Sequence, residues 1–280
     1  MSVKKILFTT KLRELSFEAL KCVTRFKMAG LEEVILLHVI PIEEVGFVPF
    51  GGYDKEEYEE LRSKALETFD EWSRLLKDRG IKAKSIVEVG KPVPKILDTA
   101  EEENVDLVVA GRSKTYIVER FIGSDTEELL QYSRWPVLLM KYKETLADEE
   151  SVRLCQKLMF ATDFTKTSER AKNFVLELKG MVDTLYVVHV VKSDESKQIP
   201  ERQKLLNQLE EFYRNHGFEK VKTMLLEGPI EDKLIELSEE MDTVVMGTSG
   251  KGKWQAIWIG SVSRNVAENA DTPVILVPSK

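Results

Sequence analysis

The chain is written twice. Lys5-Ile-Leu-Phe-Thr-Thr10 aligns with Lys157-Leu-Met-Phe-Ala-Thr162 at an offset of 157 − 5 = 152. Leu36-Leu-His38-Val aligns with Val187-Val-His189-Val at 189 − 38 = 151. Val105-Asp-Leu-Val-Val-Ala-Gly111 matches Met241-Asp-Thr-Val-Val-Met-Gly247 at 247 − 111 = 136, and Trp135-Pro-Val-Leu-Leu matches Thr272-Pro-Val-Ile-Leu at 273 − 136 = 137. Block order is preserved and the offset changes only between blocks, where loops and helices differ in length. A chain of 280 residues is long for one core, so a duplicated domain is the expectation. The copies are read as residues 1–143 and 152–280, joined by the acidic linker ETLADEES at 144–151.

Each copy alternates short, β-branched apolar runs with longer amphipathic stretches, the pattern of βαβ units around a parallel sheet. The runs KKILFTT, EVILLHV, AKSIVEV, DLVVAG and PVLLM in copy one correspond to KLMFAT, TLYVVHV, VKTMLLE, TVVMG and PVILV in copy two. They are apolar on both faces, as strands covered by helices above and below must be. Charge at helical spacing predicts helices over 56–77 and 203–215. The apolar, glycine-bearing stretch Val45–Tyr53 reads as a loop, either a lid or partner surface or a packing segment.

Composition removes several function classes. A net charge of −7 argues against a general nucleic-acid binder, yet a local cluster of backbone N–H groups can still hold a small anion. No apolar run reaches the roughly 18 residues that span a bilayer, and MSVKKILFTTKLRELSF is too short in its apolar part for a signal peptide. Cys22 and Cys155 have no metal-ligand spacing, and His38, His189 and His216 are scattered. The chain reads as cytoplasmic.

The stretch GTSGKGKWQAIWIGSVS, 247–263, carries the chemistry. It starts where the strand TVVMG ends, at the carboxyl edge of a parallel sheet, where such folds bind ligands. Its first eight residues nearly spell a P-loop, but Trp254 stands where the Mg²⁺-ligating Ser or Thr belongs. The better description is G-x2-G-x9-G-S, with glycines at 247, 250 and 260 followed by Ser261. Glycines there let the backbone approach a ligand. Gly260-Ser-Val-Ser263 opens a helical segment whose first-turn N–H groups and hydroxyls suit an anion.

With this spacing, the ILFTT and LMFATD first strands, the HV-ending second strands and the PV-[IL]-L last strands, both halves resemble the ATP-binding branch of the universal stress protein family. That resemblance implies an α/β fold of two tandem Rossmann-like, adenine nucleotide α-hydrolase-like domains, each a five-stranded parallel sheet in the order 3-2-1-4-5. It implies ATP or another adenine nucleotide, bound in copy two with Mg²⁺ or Mn²⁺ held through the phosphates. Ala161, Thr162 and Asp163 would frame the nucleoside pocket, and Val190 would offer backbone to the adenine. Met246, Gly247, Thr248 and Gly250 would line the ribose and phosphate loop, with Gly260, Ser261, Val262 and Ser263 at the phosphate end.

Copy one departs from the pattern. Lys11 stands at the acid position (163 − 152), Lys114 replaces the second glycine, and eight rather than nine residues precede Gly123-Ser124. Copy one is therefore expected not to bind ATP in the family mode, although Arg112, Lys114 and Arg120 could attract an anion. Each site residue also has a plain structural reading. Asp163, Ser261 and Ser263 are good helix caps, Lys251 and Lys253 good solvated loop residues, Trp254 and Trp258 a packing face, and the histidines strand-end fixtures. No Ser-His-Asp order, metal cluster or paired carboxylates converge on the motif. The expected function is a nucleotide-dependent stress-response or signalling module with an unidentified protein partner and at most weak ATP hydrolysis. The alternatives are a slow ATPase of the same fold and a nucleotide-free stress scaffold. The copies would form a pseudo-dimer inside one chain, with the last strands Pro136–Met140 and Pro273–Val277 pairing; association of two chains stays open.

Overall fold

A computed structural model describes residues 2–12, 15–48, 52–112, 124–141, 153–248 and 260–279. Copy one runs β1 (Lys5–Thr10), α1 (Leu15–Val23), β2 (Glu33–Ile40), β3 (Phe47–Val48), β4 (Gly52–Tyr53), α2 (Lys55–Asp78), β5 (Lys82–Val89), α3 (Pro92–Glu102), β6 (Leu107–Arg112), α4 (Ser124–Tyr132) and β7 (Val137–Lys141). Copy two runs β8 (Lys157–Ala161), α5 (Glu169–Glu177), β9 (Thr184–Val191), α6 (Ile199–Asn215), β10 (Val221–Glu227), α7 (Ile230–Ser238), β11 (Thr243–Thr248), α8 (Ser261–Asn269) and β12 (Val274–Pro278). The stretch expected as a loop over 45–53 instead contains the antiparallel pair β3–β4. The linker at 144–151 lies outside the described residues.

The larger sheet has ten strands in the order β10-β9-β8-β11-β12-β7-β6-β1-β2-β5. Each half thus keeps the expected 3-2-1-4-5 order with parallel neighbours. The last strands pair as expected, so the halves share one sheet; because β12 and β7 run antiparallel, that sheet is mixed rather than purely parallel. Alternation along the strands divides the core between the two faces. Ile6 and Phe8 join a cluster with Trp72, Phe160 and Tyr213 under α1, α2, α5 and α6. Leu7 turns the other way, to a cluster with Val108, Val244 and Val266 under α3, α4, α7 and α8. Both clusters run through the seam: Leu138 and Ile275 belong to the first, Leu139 and Val274 to the second.

The seam register locates a pseudo-twofold axis. Val137 faces Leu276, Leu138 faces Ile275 and Leu139 faces Val274. Since 275 − 138 = 137, the offset of this block, Leu138 faces its own counterpart. Two edges that would otherwise template aggregation cover each other. Arg264 Nη1 lies 3.0 Å from Glu127 Oε1, and 264 − 127 = 137 again. In a dimer of identical chains that position would meet its own twin and like charges would face; duplication lets opposite charges sit there. The pair is exposed and adds little stability. A buried contact also crosses the seam, where Lys141 Nζ donates to the carbonyl of Ala270 at the end of α8, a favourable place for a cation.

Beside the first core cluster the copies touch a second time, through the 3₁₀ segments Thr24–Ala29 and Lys179–Met181. Gly180 there corresponds to Met28 (180 − 28 = 152), and a Cβ on Gly180 would lie 2.0 Å from the Met28 carbonyl oxygen. Gly180→Ala is therefore expected to force the two segments apart and destabilise the chain by roughly 1–3 kcal/mol, the usual cost of overpacking. Chemical denaturation checks it. An unchanged midpoint would mean that the segments separate without loss.

Candidate functional site

In copy two the carboxyl ends of β8, β9 and β11 converge with the start of α8 on one edge of the sheet. β8 ends at buried Ala161 and leads into Thr162, also buried, which organises the following turn. The Thr162 amide donates to the Val188 carbonyl at 3.0 Å. Its Oγ1 accepts from the Phe164 amide at 3.1 Å and donates to Ser168 Oγ at 3.2 Å. His189 Nδ1 lies 2.7 Å from the Thr162 carbonyl. A carbonyl only accepts, so Nδ1 carries the proton. Burial pulls the His189 pKa below the ordinary histidine value, and the Thr162 carbonyl opposes that only in part.

Copy one repeats this turn. Leu12 N donates to Thr10 Oγ1 at 2.9 Å, and His38 Nδ1 lies 2.9 Å from the Thr10 carbonyl. Leu12 and Phe164, equivalent at 152, hold φ of 54° and 59°, a left-handed conformation uncommon for such side chains. The recurring histidines thus have the structural role read for them. They anchor the strand-end carbonyl.

Asp163 is exposed, and its Oδ1 accepts from Thr165 N at 3.0 Å and Thr165 Oγ1 at 2.7 Å. It closes an Asx-type turn; it does not cap α5, which starts at Glu169 behind Ser168. Among the described residues nothing hydrogen-bonds its Oδ2. Val190, buried on β9, follows His189. On β11, Met246 is buried and Gly247 packs against the turn: a Cβ there would lie 2.9 Å from the Thr167 carbonyl oxygen and 3.2 Å from Ser168 Cα. Close backbone packing is enough to require this glycine.

Thr248 is 2% exposed, and its Oγ1 is buried without a partner among the described residues. A buried, unsatisfied hydroxyl costs about 1–3 kcal/mol, so a ligand that reached it would relieve that cost. Gly250, Lys251, Lys253, Trp254 and Trp258 lie outside the described residues. Gly260 is the N-cap of α8 with φ −60° and ψ 150°, a conformation open to any residue. Ser263 Oγ donates back to the Gly260 carbonyl at 3.0 Å, Ser261 is exposed, and no side chain caps the first turn. The leading amides of α8 keep their anion-binding capacity. These residues supply hydroxyl, amide and carboxylate contacts for a polar anionic ligand. They supply no cation-binding cage, and no group of three or more His, Cys, Asp or Glu gathers among the described residues.

Copy one carries a different edge. Lys11 Nζ sits 3.2 Å from Asp125 Oδ2. Asp125 lies in the first turn of α4 and corresponds to Val262 (262 − 125 = 137), with Ser124 matching Ser261. Copy one thus carries a lysine where copy two has Asp163 and a carboxylate where copy two has the uncharged Val262. A carboxylate at that helix start disfavours a second anion there. Sequence reasoning named Lys11 but missed Asp125, although the same offset reaches it. Lys114, Arg120 and Gly123 lie outside the described residues.

Two other residue groups are settled by burial. Both thiols are buried, which pushes Cys22 and Cys155 up to about 12 and leaves them as packing groups. No helix among the described residues is long and apolar enough to cross a membrane.

Comparison with known proteins agrees with the duplication. The model of the family described as "Universal stress protein family" matches residues 2–141 and again 155–278. A universal stress protein of Methanocaldococcus jannaschii is 38% identical over 157 residues, covering 51% of this chain and 97% of that protein. One from Mycolicibacterium smegmatis is 21% identical over 257 residues, 87% of this chain and 86% of its own. The crystal structure of a universal stress protein from Archaeoglobus fulgidus superposes with a TM-score of 0.77 at 26% identity, covering 99% of this chain and 97% of that one.

Proposed function

Because the chain belongs to the universal stress protein family, with one copy of the domain in each half, we propose that copy two binds an adenine nucleotide and copy one does not. The observation that carries this reading is the buried Thr248 hydroxyl, without a partner among the described residues, set at the edge shared by the start of α8 and the Asp163 turn. In this reading the amides of Ser261, Val262 and Ser263 hold the phosphates. Thr248 Oγ1 bonds the phosphate or ribose, and Asp163 Oδ2 accepts from the nucleoside. Ala161, Val190 and Met246 form apolar walls, while Gly247 sets the strand end. ATP is the ligand that uses all of these groups. Mg²⁺ or Mn²⁺ would come with it on the phosphates, where it offsets their charge. No described group stands ready to activate water, and amides that bind the ground state as well as the transition state do not speed transfer. The chain then acts as a binding and signalling module in the cytoplasm, ordered by nucleotide and read by a protein partner.

Mass spectrometry of the small molecules released on denaturation tests this directly. The expected result is close to one adenine nucleotide per chain, with Mg-ATP raising the Tm of stripped protein. At a hundredfold excess over Kd the added stability would be about 2.7 kcal/mol. Asp163→Ala should reduce the shift, and Lys11→Ala should leave it alone. Two nucleotides per chain would overturn the division of labour. No nucleotide together with no shift would leave a scaffold.

A further inference from the structure

The two copies differ beneath the loop that follows the first strand. In copy two Phe164 lies on the His189 imidazole with ring centroids 4.6 Å apart, and the Arg202 guanidinium sits 5.9 Å from the Phe164 ring. Arg202 is held in turn by Gln198 Oε1, at 2.7 and 3.2 Å. Ring, guanidinium and amide together fill the space between the end of β9 and α6.

Copy one replaces all three with smaller or apolar side chains. Leu12 is the counterpart of Phe164 (offset 152), while Ala65 and Leu61 are the counterparts of Arg202 and Gln198 (offset 137). The helix offset is supported by Leu76 and Tyr213, both fully buried and both accepting at their carbonyls from the residue after the helix-ending glycine. The space opens into a pocket of about 240 Å³ between β2 and α2, lined by Leu12, Ile40, Leu61 and Ala65 and by the polar side chains of His38, Glu44, Lys64 and Thr68. Ile40 and His38 lie on the face of β2 opposite Val39, the counterpart of Val190. The pocket is therefore distinct from the edge that carries the proposed nucleotide site.

We infer that copy one holds a small, planar, uncharged aromatic molecule bearing one N–H or O–H donor. Leu12, Ile40, Leu61 and Ala65 supply an apolar wall. His38 Nδ1 is committed to the Thr10 carbonyl at 2.9 Å, so in the neutral ring Nε2 is left as an acceptor. Of the two charged lining side chains, Lys64 pairs with Glu60 at 2.7 Å and Glu44 is a carboxylate, so the lining disfavours an anionic ligand. Copy two shows the shape that suits this position, an aromatic ring laid on the histidine. In copy one that ring comes from outside the chain. The volume accommodates a bicyclic heterocycle, and the few polar groups fix its orientation, as in other ligand sites.

Indole is the probe, and saturation-transfer NMR on the full chain, with and without saturating Mg-ATP, is the test. Binding to the wild type, unaffected by Mg-ATP, is expected. Leu12→Phe restores the ring of copy two and should weaken indole roughly tenfold or more while keeping or raising the Tm. Ala65→Met fills the same space from α2 and should give the same loss. Absence of indole binding to the wild type would overturn the inference. So would displacement by Mg-ATP, which would put indole in the nucleotide site, or full binding by both folded variants.

Discussion

A chain carrying Val262→Asp is expected to lose nucleotide binding on the order of a hundredfold while its fold stays intact. The substitution transplants Asp125, the first-turn carboxylate of α4, to the equivalent place on α8. In the nucleotide-free protein it is harmless: Val262 is only partly buried, and an acid in the first turn of a helix is worth about 0.3–1 kcal/mol of added stability. Against a phosphate it acts the other way. Two unit charges about 5 Å apart, at an effective dielectric constant near 20, repel by about 3 kcal/mol, which corresponds to roughly a hundredfold in Kd. Calorimetric titration with Mg-ATP, beside a thermal melt without ligand, separates the two effects. Unchanged affinity would show that the phosphates do not sit on α8. Lost affinity together with a lowered Tm would mean that the variant acts through the fold.

Ile275→Ala is expected to cost about 2–5 kcal/mol, the range for truncating a fully buried aliphatic side chain, and to lower the stability of both halves together. Ile275 is completely buried, faces Leu138 across the seam and shares its core cluster with side chains from both copies. A core continuous through the seam predicts one calorimetric transition with equal calorimetric and van't Hoff enthalpies, shifted as a whole by the substitution. Two transitions, with only the second-copy one moving, would show that the seam joins two independently stable domains.

The duplication, the five strands of each half and the location of the motif at a strand end were all legible in the residues. Repetition needs only self-comparison, and strands buried on both faces leave unmistakable apolar runs such as EVILLHV. The fused sheet was legible in part. The PV-[IL]-L strands suggested pairing, but the register that sets Leu138 against Ile275 and Glu127 against Arg264 belongs to packing. The short β3–β4 pair was missed because each strand has two residues, too few for any period to show.

At the site, residue types pointed to an anion at α8, and the tertiary arrangement reassigned several of them. Gly247 looked like a ligand-approach glycine and proved to be required by the Thr167 carbonyl behind it. Asp163, read as an acid toward the nucleoside with a helix cap as the plain alternative, closes a turn and leaves its second oxygen without a partner among the described residues. The contrast between the copies rests on contacts between residues distant in the chain, of which Lys11 with Asp125 spans the longest separation. By itself the sequence determined that two like domains exist and which helix start and strand ends form each candidate site. Those facts follow from local pattern and from repetition. The tertiary structure alone decided the register of the shared sheet, the continuity of the core through it, the Lys11–Asp125 pair of copy one, and the pocket that replaces the Phe164 stack. Each of these depends on which distant side chains meet, and no local period records that.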